Sequence, residues 1–371
     1  MGTGIKTLLM AAMTTGMFMG LLKSICPSCP DWNFERLHVF LLNLCTGGSV
    51  ILYFTEGRAR VTPPVALFFS GSVAYAVCAF LEFYTAAVVI AILLAAVVER
   101  VRVKRFSFFP SEFFSMRSST AAKFHQAALL CLSIGLLVSA FVIVNSEFLH
   151  LVPYPRLRLD VFFLGFSFPV SLVTLSMMFI LIQENGGEGA RRFGFSIFWG
   201  VNAGVLVFFG FILVEAVIAQ LFISIFLFAT VIVMFFLFLA RSRDGQKRTI
   251  LASGMAFILL TGVTGVGYVA LKMLGYDPHS WQPASLLSLH SFISLYGWNL
   301  CGLLLIVRAG EFPLGIDMRS FLVQHWIVVL VLAPCGRYNA ACAAVAALGF
   351  AALLYQYLFT PGSTPGKMQN I

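Results

Sequence analysis

The charged residues of this chain lie in short breaks between apolar stretches of about 20 residues, and this pattern restricts the fold severely. Hydrophobic residues make up 60% of the chain and charged residues 11%. A helix of about 20 apolar residues spans the hydrocarbon core of a bilayer and satisfies its own backbone hydrogen bonds there. The pattern predicts an all-α, polytopic integral membrane bundle. It forms a single transmembrane domain, residues 1–371, without a separate soluble domain.

Counting apolar stretches and polar breaks predicts about 12 transmembrane helices. Two very short breaks, near Glu82 and Glu215, are predicted to be tight turns between the third and fourth helices and between the seventh and eighth. The predicted helix centres are Ala12, Thr46, Ala74, Leu93, Ile134, Leu172, Val207, Ile232, Thr261, Gly297, Val328 and Val345.

The basic residues predict the orientation in the membrane. When the breaks are assigned alternately to the two sides, most of the 24 Lys and Arg residues fall on one side. The positive-inside rule then places both termini in the cytoplasm, in a multi-pass protein of the inner (plasma) membrane. The first apolar stretch lacks a small-residue cleavage site before Cys26, so we expect a retained helix. The bilayer is the expected partner, and the absence of a basic face interleaved with aromatics argues against nucleic acid.

Four histidines occur at a similar distance from the start of a predicted helix: His38, His125, His290 and His325. Six residues of helix rise about 9 Å, so each imidazole is predicted to lie just inside the hydrocarbon edge. His38 and His290 are predicted near the periplasmic face, and His125 and His325 near the cytoplasmic face.

Two histidines in each leaflet suit a transmembrane carrier of two b-type haems, because each haem iron takes two axial imidazoles. His38 and His290 are the predicted iron ligands of one haem, and His125 and His325 those of the other. Histidine also tolerates the membrane interface without a function, so a purely structural role is the alternative. Glycines that would let a flat macrocycle approach occur on three of these helices: Gly47, Gly48, Gly135, Gly297 and Gly302.

Cys26 and Cys29 form a C-x-x-C sequence in the first predicted periplasmic loop. They are predicted to form either a static disulfide or a redox pair that exchanges with a quinone-linked membrane partner. No histidine follows Cys29, so this is not a c-type haem attachment site.

Polar residues inside the spans are few. No predicted span has an acidic residue near its centre, which argues against an ion-coupled transporter but permits a carrier or channel for a neutral solute. Three asparagines are predicted either to line a polar path or to hydrogen-bond between helices. They are Asn43, Asn202 and Asn299.

The second and tenth predicted helices share a short sequence similarity. Each has Leu-His-x-Phe followed by Asn-Leu-Cys, beginning at Leu37 and at Leu289. The interval between the two parts differs by four residues, about one helical turn, so the similarity is not a strict repeat.

Three functional hypotheses follow. The first is a membrane redox protein, a haem b or quinone-linked electron carrier with a periplasmic or membrane redox partner. The second is a small-solute transporter or channel, and the third is a scaffold or assembly subunit of a larger membrane complex. The chain has no nucleophile elbow, phosphate-binding loop, zinc-hydrolase motif or dinucleotide fingerprint, so the sequence assigns no enzymatic reaction.

Overall fold

The computed structural model describes residues 1–26, 28, 33–57, 60–152, 161–182, 188–243, 245–277 and 280–362. These ranges contain twelve long helices and no β-sheet. The helices are α1 (Thr3–Ile25), α2 (Arg36–Glu56), α3 (Pro63–Phe80), α4 (Tyr84–Arg105), α5 (Thr120–Leu149), α6 (Val161–Leu181), α7 (Glu188–Leu213), α8 (Val217–Arg241), α9 (Gln246–Met273), α10 (Trp281–Val307), α11 (Met318–Gly336) and α12 (Ala340–Phe359).

Eleven of these twelve helices in the described part of the chain are long and apolar enough to cross a membrane. The twelfth, α4, packs between α3 and α5. Every predicted helix centre falls within a helix, and the prediction of a polytopic all-α bundle is confirmed. The protein is a multi-pass membrane protein.

The two short turns lie where the sequence predicts them. Glu82, between α3 and α4, has φ of 63°, and Glu215, between α7 and α8, has φ of 57°. These left-handed conformations let the chain reverse direction within a few residues. At the start of α11, the Asp317 carboxylate accepts hydrogen bonds from the backbone N–H groups of Arg319 and Ser320. The Ser320 hydroxyl and these two N–H groups hold the pKa of Asp317 below its ordinary value.

The start of α1 and the end of α12 lie on one side of the bundle. Lys6 in α1 bonds to Glu311, which precedes α11, and Arg308 bonds to the carbonyl of Thr360 at the end of α12. We call this side the terminal face and the other side the opposite face. The terminal face is the predicted cytoplasmic side.

A buried ion cluster joins three elements at the terminal face. Arg308 is 1% exposed, and its Nε lies 2.6 Å from Glu311 Oε2. Lys6 Nζ lies 2.7 Å from the other oxygen of the same carboxylate. Arg308 also donates to the backbone carbonyls of Tyr357 and Thr360. The Glu311 carboxylate therefore compensates two cations that are largely removed from water.

Three helices form the centre of the bundle. In the most apolar parts of α2, α6 and α10, 72%, 72% and 83% of the residues are buried. The corresponding share is 22% in α7 and 17% in α8, so these two helices turn most of their surface to the lipid. The polar side chains of Asn43, Thr174 and Asn299 on these helices are accordingly 0% exposed.

Five stretches of the described helices are π-helical, with backbone bonds from residue i to residue i−5. At the first of them, the Thr46 hydroxyl also donates to the Leu41 carbonyl, at 2.9 Å. Such segments are rare and occur frequently at functional sites. They are Phe40–Gly48 in α2, Asn145–Leu149 in α5, Val161–Ser167 in α6, Ile293–Asn299 in α10 and Val328–Leu332 in α11.

Candidate functional site

A group of amides and hydroxyls lies at the junction of α2, α6 and α10. Asn299 Nδ2 lies 3.2 Å from Ser167 Oγ and 3.5 Å from Asn43 Oδ1, and Ser171 Oγ donates to Asn299 Oδ1 at 2.8 Å. Asn43 and Asn299 are both 0% exposed. We call these four residues, Asn43, Ser167, Ser171 and Asn299, the central polar cluster. It contains no charged side chain.

The π-helical segments position this cluster. Asn43 lies within the segment of α2, Ser167 ends that of α6, and Asn299 ends that of α10. Each of the three central helices is therefore π-helical at the residue, Asn43, Ser167 or Asn299, that it contributes to the cluster. The Nδ2 of Asn43 is buried and has no hydrogen-bond partner among the described residues.

Close helix packing holds the cluster together. A Cβ atom on Gly47 would lie 2.4 Å from the Val170 side chain of α6, and one on Gly302 would lie 1.8 Å from the Thr174 hydroxyl. Both distances are far shorter than a van der Waals contact, so α2 and α10 reach α6 only because glycine occupies these positions.

A second polar group adjoins the cluster through Tyr296 of α10. The Tyr296 hydroxyl lies 2.6 Å from His38 Nδ1 of α2, and the Tyr296 carbonyl lies 2.6 Å from His325 Nε2 of α11. His38 Nδ1 also lies 3.2 Å from the Gly16 carbonyl of α1. One residue of α10 therefore contacts two of the four predicted histidines.

The partners of these rings restrict their tautomers. A carbonyl only accepts, so His325 Nε2 carries the proton, and its Nδ1 is a buried acceptor without a partner among the described residues. At His38, a protonated Nδ1 donates to Gly16, whereas a bare Nδ1 accepts from the Tyr296 hydroxyl. The two neutral forms of His38 thus make different hydrogen bonds.

The other two histidines lie elsewhere in the bundle. His290 Nδ1 is 3.0 Å from the Thr261 carbonyl of α9. His125 Nε2 is 2.8 Å from the Thr55 hydroxyl of α2, and its ring packs on Phe54. Since the Thr55 hydroxyl donates to a carbonyl of its own helix, His125 Nε2 is the donor here.

The two histidines of each predicted haem pair have different hydrogen-bond partners in the structure. His38 packs against Tyr296 and Phe292 on one side of α10, while His290 faces α9. The glycines expected to admit a macrocycle are covered by protein instead. A Cβ on Gly297 would lie 2.4 Å from the Phe257 ring, and one on Gly135 would meet the backbone of Gly165. In the described part of the chain, no three His, Cys, Asp or Glu residues are grouped to hold a metal ion.

Haem binding by these histidines stays a prediction, and a visible absorption spectrum tests it directly. If it holds, a reduced-minus-oxidised visible spectrum of the protein purified in mild detergent shows b-type bands for about two haems per chain, two axial imidazoles serving each iron. Replacing any one of the four histidines by Ala then removes the absorbance of one haem. Full absorbance in all four variants would contradict the assignment.

The third predicted asparagine lies apart from the other two. Asn202 of α7 borders a separate groove of about 200 Å³ between α5, α6 and α7. Its Nδ2 donates to the Phe198 carbonyl of its own helix at 2.8 Å. Of the predicted cysteine pair, Cys26 is disulfide-bonded, and Cys29 lies outside the described residues.

Sequence reasoning missed Tyr296, Ser167 and Ser171. A signal was present for Tyr296, because it lies between His290 and Asn299 in the α10 copy of the similarity shared with α2. The structure places these two helices in contact, with His38 against Tyr296 and Asn43 against Asn299. The serines resemble many others in the spans and carry no distinguishing pattern.

Comparison of the chain with family models, with curated proteins and with solved structures found no match.

Proposed function

We propose that this protein is a membrane carrier for a small polar solute, with the central polar cluster as the site that the solute contacts during passage. The observation that supports this most directly is the central polar cluster, whose two amides are fully buried where three π-helical segments meet. A hydrogen-bond donor in hydrocarbon surroundings is costly unless it has a partner, and Asn43 Nδ2 has none among the described residues.

The chemistry of the cluster favours an uncharged solute. Asn43 and Asn299 each offer an amide donor and a carbonyl acceptor, and Ser167 and Ser171 offer hydroxyls. A charged solute would need a counter-charge here, since an isolated ion in a low-dielectric interior is strongly disfavoured.

The helices around the cluster suit a carrier better than an open channel. Phe40 and Phe166, whose ring centres are 5.8 Å apart, precede Asn43 and Ser167 on helices that run from the opposite face. Their rings therefore lie between the cluster and that face. Carriers place their sites near the bilayer midplane at irregular helices and close them on one side at a time.

Purified protein in liposomes tests this proposal by osmotic light scattering. We expect at least one solute among urea, glycerol, formamide and acetamide to cross faster than in protein-free liposomes. Asn299→Ala should slow that solute at least about tenfold, because one lost hydrogen bond in a buried site corresponds to roughly that factor.

Asn202→Ala is the matched control, because Asn202 bonds within its own helix and lies outside the cluster. It should leave the rate unchanged. If Asn299→Ala folds poorly, Asn43→Ser removes the unpartnered amide with a smaller change in volume. The carrier proposal would be contradicted if none of the four solutes crossed faster than in protein-free liposomes. Equal rates for the cluster variants and the control would mean that the cluster is only a structural contact between helices.

A further inference from the structure

The groove of about 200 Å³ between α5, α6 and α7 opens at the lipid-facing surface of the bundle. Two of the residues that line it, Ile134 of α5 and Leu206 of α7, are exposed. Helix α7, which forms one wall, turns most of its surface to the lipid. A molecule in this groove would therefore lie at the boundary between protein and bilayer.

The walls of the groove suit an alkyl chain. An amide and a thiol lie in it, and both already have hydrogen-bond partners: Asn202 Nδ2 donates to the Phe198 carbonyl, and the Cys131 thiol donates to the Leu164 carbonyl at 3.1 Å. The described lining contains no charged side chain. Apolar contact is what the groove offers, and removing apolar surface from a polar environment is favourable.

The groove has the length and capacity of one acyl chain. On α5 its lining extends from Ala127 to Val138, about 16 Å of helix rise. One leaflet contributes about 15 Å to the hydrocarbon core. About 10–15 Å³ of such space holds one water, so the groove has room for roughly 13–20 water-sized groups. That number matches the methylene groups of a phospholipid chain.

The depth of the groove also fits a chain of the leaflet at the terminal face. Helix α5, Thr120–Leu149, rises about 45 Å, which equals the thickness of a bilayer with its headgroups. Thr120 is at the terminal face, and Ala127 lies about 10 Å further along the helix. The headgroup region takes up about 5–8 Å on each side. The groove therefore begins just inside the hydrocarbon edge.

An aromatic segment between α4 and α5, residues 106–119, lies over this end of the groove. Phe113 lines the groove, and its ring centre is 5.1 Å from that of Phe198 in α7. The next residue, Phe114, packs on Trp199 of α7 at 5.4 Å, and Trp199 is itself part of the wall. These rings place the segment directly beside the chain that we expect in the groove.

Two exposed arginines flank the same end. Thr120 and Gly194 mark the level at which α5 and α7 meet, because a Cβ on Gly194 would overlap the Thr120 side chain. Arg117 precedes Thr120 by three residues, and Arg191 precedes Gly194 by three. Neither arginine has an acidic partner among the described residues. Both guanidinium groups are thus available at headgroup level.

The charge around this end stays positive after the ion pairs are counted. Glu99 pairs with Arg102, Glu188 pairs with Arg192, and Lys104 lies 3.9 Å from Glu56. Glu112 is the one further acid within residues 99–123 and 188–195. The exposed cations that no described acid pairs with are Arg100, Arg105, Arg117 and Arg191. Such a cluster attracts anionic lipid headgroups.

We propose that this groove binds one anionic phospholipid of the leaflet at the terminal face, with an acyl chain in the groove and its phosphate at Arg117 and Arg191. Guanidinium groups bind phosphate oxygens through charge-assisted hydrogen bonds. The site is separate from the central polar cluster, and lipid binding does not depend on the proposed transport.

Trp199 reports on the groove directly. Of the five tryptophans of the chain, it is the one that lines the groove, and bromine atoms on an acyl chain quench tryptophan fluorescence on contact. The full chain is placed in phosphatidylcholine vesicles that contain a rising fraction of brominated phosphatidylglycerol or, for comparison, brominated phosphatidylcholine. We expect saturable quenching at a lower fraction of the anionic lipid. Trp199→Phe should remove this difference between the two lipids.

Arg117→Gln tests the headgroup contact. It should weaken the apparent affinity for brominated phosphatidylglycerol about fivefold, the usual contribution of one cation near an anionic leaflet. Arg319→Gln is the matched control, because Arg319 is an exposed arginine of the terminal face at the start of α11, outside the groove. It should bind the lipid like the unmodified protein.

Leu130→Phe tests the chain contact by placing a larger side chain in the groove, and it should remove the preferential quenching. Its control is Leu137→Phe, since Leu137 is exposed on the same helix but does not line the groove.

Equal quenching by the two brominated lipids would overturn the proposal, as would an unchanged difference between them in Trp199→Phe. Equal affinities of Arg117→Gln and Arg319→Gln would refute the headgroup contact. If a variant does not fold, the comparison of the two lipids on the unmodified protein still decides the outcome. The carrier function is judged separately by the liposome rates of the Asn299 variant.

Discussion

Replacing Glu311 by Gln should lower the free energy of unfolding by about 3 kcal/mol, the low end of what breaking a buried ion pair costs. The carboxylate lies 2.6 Å from Arg308 Nε and 2.7 Å from Lys6 Nζ, and the side chains of these cations are 1% and 9% exposed. The neutral amide leaves both cations with little access to water and without a counter-charge. Reversible unfolding in mixed detergent micelles measures the loss.

Glu188→Gln is the control for this prediction. Glu188 and Arg192 form an ion pair at the same N–O distance, 2.6 Å, but their side chains are 71% and 68% exposed. Exposed pairs of this kind contribute about 0.5 kcal/mol or less, because water and salt screen them. A similar loss of stability in the two variants would show that burial does not determine how much the Glu311 ion pairs contribute to the free energy of unfolding.

Replacing Gly135 by Ala should destabilise the protein by about 3 kcal/mol, at the upper end of the usual cost of overpacking. A Cβ at this position would lie 2.4 Å from the Cα of Gly165 and 2.7 Å from its carbonyl oxygen. These are backbone atoms, so no side-chain rotation relieves the contact. Helices α5 and α6 must separate, and α6 carries Ser167 and Ser171 of the central polar cluster. We therefore expect slower solute passage together with a lower unfolding temperature.

Gly210→Ala tests the same substitution where there is space. Gly210 lies in α7, and a Cβ there would have no neighbour within 4 Å. Alanine favours a helix over glycine by about 0.5–1 kcal/mol, so this variant should be unchanged or slightly more stable. Equal destabilisation of the two variants would mean that α5 and α6 do not meet at Gly135 and Gly165.

The helices of this fold could be predicted because a bilayer leaves few alternatives. Apolar length alone marks a transmembrane segment, and even the tight turns at Glu82 and Glu215 follow from the polar breaks around them. Contacts between helices have no such signal in a single sequence. Four histidines at matched depth suggested two pairs, but depth does not determine the direction in which a ring points. His38 and His290 consequently face different neighbours.

The central polar cluster was only partly predictable. Asn43 and Asn299 stood out because amides are rare within apolar spans, whereas Asn202 stood out equally and lies in a different groove. The deciding factor is the π-helical geometry of α2, α6 and α10. It depends on how neighbouring helices pack against Gly47, Gly297 and Gly302, and a local sequence pattern does not record that packing.

The π-helical segments also have a mechanical consequence. Each holds more residues per turn than an α-helix, and successive α-helical residues are rotated by roughly 100° about the axis. If the π-helical segment of α2, Phe40–Gly48, moved by one residue along the chain, the residue that it passed would rotate by about that angle while the two ends of the helix kept their orientation. A movement that passed Asn43 would turn its amide away from Asn299 and leave the packing of both ends of α2 in place. The π-helical segments at the centre of this bundle thus let a polar side chain reorient without a break in any helix.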